Sequence, residues 1–117
     1  MVDLIIKNAK VATASDLFIC DIGVDKEKIV FLEKNSLKEA KRIIDAKNQY
    51  VLPGGVDGHC HLDQRTKDGT EMSDNFESGS RSAAFGGTTT IMPFAIQFKG
   101  ESLRKIIDEY HTRANDQ

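Results

Sequence analysis

Five residues able to bind a metal or move a proton crowd the seven positions from Asp57 to Asp63: Asp57, His59, Cys60, His61 and Asp63. Side chains of an extended chain alternate between faces, so Asp57, His59, His61 and Asp63 share one face while Cys60 points the other way. That geometry argues against the thiol as a ligand. Two imidazoles two residues apart on one strand can converge on a single divalent ion. Imidazole suits zinc, and zinc held with one position open for water lowers the pKa of that water to about 7 and polarises a carbonyl. A bare His-x-His is also the pattern of a solvated pair, so its context must decide. Asp57 carries two readings side by side. It orients a ligand imidazole, or it hydrogen-bonds the turn at Gly58. Asp63 reads as a loop-shaping carboxylate, and His111 as a solvated histidine on a helix.

The elements that would position these groups are short and regular. Val51 to Val56 is nearly continuous in apolar residues, as a buried parallel strand requires, and it leads into the histidines. Residues 65–72 are polar and read as a loop. Asp74 with Glu77 predicts a capping box opening a helix through Phe76, Arg81, Ala83 and Ala84, which Gly86-Gly87 stops. Thr88 to Phe94 is β-branched and apolar, hence a second strand. Leu103, Ile106, Ile107 and Tyr110 fall at helical spacing, with Glu101 and Lys105 placed as an exposed pair. Strand, loop and helix, twice over, make two parallel β/α units, whose reactive groups belong at the carboxyl ends of the strands. The polar loop from Leu62 to Glu71 directly follows the histidines. It is expected to line the substrate entrance, with Leu62, Gln64 and Thr66 as its candidate contacts. Gly86-Gly87-Thr88-Thr89 lacks the lysine of a phosphate-binding loop.

Upstream, residues 1–50 read as a separate region of short strands: Leu4 to Ile6, Val11 to Thr13, Phe18 to Val24, Ile29 to Leu32 and Arg42 to Ala46. Asp25 to Lys28 suits a four-residue hairpin loop. The expectation is a small antiparallel sheet over 1–50 and β/α units over 51–117.

Composition excludes several classes. With 39% hydrophobic and 29% charged residues and a net charge of −2, nothing in the chain favours nucleic acid or an anionic membrane. Its two cysteines lack a Cys-x-x-Cys pattern and read as reduced thiols of a cytoplasmic protein. The apolar run Leu4 to Ile6 is too short for a signal peptide or a membrane span.

Two blocks carry a family resemblance. Pro53-Gly54-Gly55-Val56-Asp57-Gly58-His59-Cys60-His61-Leu62-Asp63 resembles the metal-binding signature of the amidohydrolase superfamily, and most closely that of dihydropyrimidinases and hydantoinases. Ala83-Ala84-Phe85-Gly86-Gly87-Thr88-Thr89-Thr90 matches the same family downstream. The resemblance implies an α/β fold: the start of a (β/α)8 TIM barrel, preceded by strands of a small β-sandwich. It implies a hydrolase of cyclic amides in pyrimidine degradation, with His59 and His61 on the more buried of two zinc ions, and a homotetramer. The bridging carboxylated lysine and the proton-shuttling aspartate of that family lie beyond residue 117 in its pattern, so no catalytic residue is assigned here. A complete barrel takes roughly 250 residues, so the chain is expected to be an amino-terminal, truncated part of such an enzyme. The loop departs from many hydantoinases, which carry Met-Pro-Phe where Gln64-Arg65-Thr66 stands. Dihydroorotases carry an arginine where Asp63 stands. The alternatives are a cytosine-deaminase-like amidohydrolase and a metal-free scaffold that keeps only the fold.

Overall fold

Residues 1–115 are described by a computed structural model, in which the chain forms two compact units, Met1–Pro53 and Gly54–Gln117. The first is a sheet of β1 (Val2–Ala12), β2 (Leu17–Asp25), β3 (Lys28–Glu33), β4 (Ala40–Asp45) and β5 (Tyr50–Val51). Its order is β3-β2-β1-β4, with β5 also pairing β1. The antiparallel expectation is corrected here. The β1–β2 and β2–β3 pairs are antiparallel, but β4 and β5 run parallel to β1. The reason is that β3 and β4 occupy opposite edges, so residues 34–39 cross the sheet instead of turning back as a hairpin. Buried Asp21 anchors that crossing. Its two carboxylate oxygens accept from the Asn8 and Ser36 N–H groups at 2.9 and 2.8 Å.

Leu4 to Ile6 and Val11 to Thr13, expected as separate strands, fall on one strand that ends at Ala12 and carries a bulge between Ile6 and Ala9, where Asn8 has φ 55°. The hairpin loop is also tighter than expected. Only Lys26 and Glu27 turn the chain, both with positive φ (46° and 64°), as a type I′ turn demands. Cys20 and Ile22 pair with Ala9 and Ile6 across β1–β2, and together with Val11 and Ala46 they build the core.

The second unit contains β6 (Gly55–Cys60), α1 (Phe76–Phe85), β7 (Thr88–Pro93) and α2 (Leu103–Asn115), with β6 and β7 paired in parallel. The strand expected over 51–56 is divided. Val51 belongs to β5 of the first sheet, and the strand bearing the histidines starts at Gly55 and runs to Cys60. Pro53, which has no N–H to offer a ladder, stands in the gap. Nor is the strand buried, since Val56 is 63% exposed.

The cap of α1 is displaced by one residue from the expected one. Asn75 Oδ1 accepts from the Ser78 N–H at 2.8 Å, and the Asn75 N–H donates to Ser78 Oγ at 3.2 Å. Glu77, expected in the box, instead pairs with Arg81 one turn on. Gly87, at φ 88°, ends the helix in the left-handed conformation that costs glycine nothing. The expected Glu101–Lys105 pair does not form: Lys105 lies 3.7 Å from Glu109, and Glu101 is taken by Arg65. Among the described residues, no helix is long and apolar enough to cross a membrane.

Candidate metal centre

β6 and β7 run in the same direction, so their carboxyl ends lie side by side. His59 is the next-to-last residue of β6 and His61 the first beyond it, both exposed to solvent. The β7 side closes over the backbone between them, because the Phe94 N–H donates to the Cys60 carbonyl at 2.8 Å. The two imidazole centroids are 5.3 Å apart with the rings tilted by 49°. Two imidazoles on one tetrahedral ion, with zinc–nitrogen bonds of about 2.0–2.1 Å, stand roughly 5 Å apart centroid to centroid. The pair therefore fits a shared divalent ion.

Two contacts orient these rings. Gln64 Oε1 accepts from His61 Nδ1. With Nδ1 turned to the amide oxygen, Nε2 is the ring nitrogen on the far side from Gln64. Phe94 stacks on His59 at a centroid distance of 5.2 Å and an interplanar angle of 16°, and stands 5.6 Å from His61. The sequence marks Phe94 only as the end of an apolar strand. Phe94 is 46% exposed, and its position at the end of the second parallel strand, beside the end of the first, was the available signal.

Asp57 makes the local bond of its two readings. Its Oδ1 accepts from the His59 main-chain N–H at 3.0 Å, the usual reach of an aspartate to the N–H two residues on. It thus fixes the backbone at His59. The Cys60 thiol is pushed above its ordinary value by burial, and further by the charge of Asp57, which keeps it protonated and a poor ligand. Among the described residues, no third His, Cys, Asp or Glu joins the pair in a metal-binding cluster.

The loop that follows is tied down at several points. Asp63 takes φ 45°, its N–H donates to the Asp74 carbonyl at 2.9 Å, and its own carbonyl accepts from Arg113 Nη1 at 2.6 Å. Arg65 pairs with Glu101 Oε1, just ahead of α2, at 2.8 Å and with Glu109 Oε2 on α2 at 3.2 Å, with its guanidinium near the face of Phe98. The hydrogen bond to Arg65 holds the Glu101 carboxyl below its ordinary value, helped by the Phe98 N–H. Thr66 closes the loop on itself, donating to the Thr70 carbonyl at 2.7 Å.

Gln64, Arg65, Thr66, Glu71, Met72 and Arg113 are among the residues lining a cleft of about 520 Å³. Leu62 is not. It is buried against Gly79 of α1, so the expected substrate contact is a core residue. Extended alternation turns Leu62 away from the histidine face and onto the helix.

Comparison with known proteins gives this geometry its setting. No family model matches the chain. The D-hydantoinase of Geobacillus stearothermophilus is 44% identical over 110 residues, which cover 94% of this chain and 23% of that protein. The dihydropyrimidinase of Dictyostelium discoideum is 35% identical over 114 residues, covering 97% of this chain and 22% of its own length. Among solved structures, a D-hydantoinase matches with a TM-score of 0.87 and 44% identity, over 94% of this chain and 24% of that one. The dihydropyrimidinase of Brevibacillus agri matches with a TM-score of 0.85 and 44% identity, over 93% and 23%. The chain thus spans about a quarter of the length of the relatives it matches, and over that span, in sequence and in fold, it belongs to the hydantoinase and dihydropyrimidinase family.

Proposed function

We propose that this chain supplies the first metal-binding edge of a hydrolase that opens cyclic amides, hydantoins or dihydropyrimidines, at the ring carbon–nitrogen bond. The observation that carries the reading is the His59–His61 pair, with ring centroids 5.3 Å apart at the end of a parallel strand. Similarity to proteins named D-hydantoinase and dihydropyrimidinase supports the substrate class. In this reading β6, α1, β7 and α2 are the first two units of a (β/α)8 barrel, residues 1–50 belong to a β-sandwich, and the reaction occurs at the strands' carboxyl ends.

His59 and His61 would hold a zinc ion, with Asp57 fixing the backbone at His59 and Gln64 the ring of His61. When bound, zinc supplies a water ionised near neutral pH and a Lewis acid for the amide carbonyl. Gln64 and Thr66, on the cleft they line with Arg65 and Arg113, would meet the substrate in this reading. Free Cys20 and Cys60 suit a reducing, cytoplasmic setting. A second ion and a homotetramer belong to the same reading, from the family resemblance alone.

The test is made on the protein at its natural length. Hydantoin, dihydrouracil and cytosine are offered before and after chelation and after zinc is restored. The reading expects ring opening of the first two, lost with the metal and regained with it. Ammonia release from cytosine without ring opening would assign a deaminase. Absence of bound metal and of turnover would assign a scaffold.

A further inference from the structure

Phe94 is the only aromatic side chain, among the contacts described, that touches both imidazoles. Its ring is nearly parallel to that of His59 at 5.2 Å and lies 5.6 Å from His61. Its main-chain N–H holds the Cys60 carbonyl, the peptide group between the two ligands, at 2.8 Å. One residue therefore fixes the pair twice, through its backbone and through its ring. The substitution most telling for the ring leaves the backbone bond in place.

We propose that Phe94 is a positioning residue of the metal centre: its ring sets the mutual orientation of His59 and His61, and so their affinity for a divalent ion. The proposal rests on the reading of the histidines as ligands. A stacked aromatic face restricts rotation of an imidazole about χ2, a torsion with broad and shallow wells of its own. With the ring absent, both imidazoles gain orientations that do not converge, and each must be given up again when an ion binds. Partners that orient metal-ligating histidines typically govern about tenfold to a hundredfold in metal affinity.

The experiment compares wild type, Phe94→Leu and Phe94→Tyr in the protein at its natural length, with thermal unfolding confirming that each folds. Leucine keeps apolar bulk and the backbone N–H but no ring, and tyrosine keeps the ring. The first readout is Co²⁺ affinity, followed by the visible absorption of the bound ion. The second needs no metal. The imidazole proton resonances of His59 and His61 in the metal-free protein carry the ring-current shift of a stacked Phe94.

The expected result is a loss of at least about tenfold in Co²⁺ affinity for Phe94→Leu, recovery to within about threefold for Phe94→Tyr, and displaced histidine resonances in the leucine variant only. Wild-type affinity and unshifted histidine resonances in Phe94→Leu would overturn the proposal and leave the metal site standing. If wild type binds no Co²⁺, the metal reading falls and this proposal falls with it.

Discussion

His61 meets Gln64 through Nδ1, on the side of the ring away from Nε2. The sequence marks Gln64 as a substrate contact, because it is polar and closely follows the histidines. Its contact with His61 comes in addition to that expectation and depends on Asp63. The positive φ of 45° at Asp63 turns the chain so that Gln64 comes back onto the histidine it follows, and no residue-type rule marks an aspartate for that conformation beyond a mild tolerance. Asp57 was legible as one of two possibilities, and the structure selects the main-chain bond to His59. A specific outcome follows for Gln64→Met, which places a methionine where many hydantoinases have one. With the amide acceptor gone, metal affinity should fall by about tenfold, while Gln64→Glu, which still accepts from Nδ1, should stay within about threefold. Metal titration of the three proteins decides it. Equal affinity in wild type and Gln64→Met would remove Gln64 from the metal centre.

The elements around the site were mostly visible in periodicity, and their errors share one cause. Both helices and β7 follow from local patterns, so they were legible residue by residue. The mixed sheet, the division of the strand at Pro53 and the pairing of Glu101 with Arg65 depend on partners far along the chain, which no local pattern encodes. The packing of the histidine loop on α1 is equally non-local. Leu62 fills the space above Gly79, and a Cβ there would overlap Leu62 Cδ2. Leu62→Ala should therefore cost about 2–4 kcal/mol through the cavity it leaves. Gly79→Ala should cost about 1–3 kcal/mol through overpacking, despite the better helix former. The double variant should lose less than the sum, because each change relieves the other. Denaturant unfolding of the cycle tests this, and strict additivity would separate the two residues. The tie from Arg65 to Glu101 predicts a pH response as well. The Glu101 carboxyl is held below its ordinary 4.5, so the tie's contribution is present above 4.5 and lost as pH falls through the lower folded value. The Phe98 amide donates to Glu101 Oε2 at 2.9 Å and should report it. Its NMR shift is expected to titrate with a midpoint below 4.5, and a midpoint at or above that ordinary value would contradict the tie.

At the scale of the whole molecule, each of the two units buries a few apolar residues and leaves others exposed. The sheet of the first unit closes a small core around Ala9, Cys20, Ile22 and Ala46. In the second, Val56, Met92 and Phe85 are 63%, 54% and 90% exposed. In the proposed barrel these are surfaces that further β/α units would cover, in keeping with a chain that spans about a quarter of its relatives. The family was legible from two short blocks, the stretch that carries His59 and His61 and the tight turn from helix to strand at Gly86-Gly87. The account stands or falls on the first of them. The decisive measurement is divalent metal content per chain, by elemental analysis, of wild type and the His59→Ala/His61→Ala variant at natural length, both confirmed folded. The account predicts bound zinc in wild type and loss of at least one ion per chain in the variant, with hydantoin opening abolished. A folded double variant that retains the full wild-type metal content would contradict it.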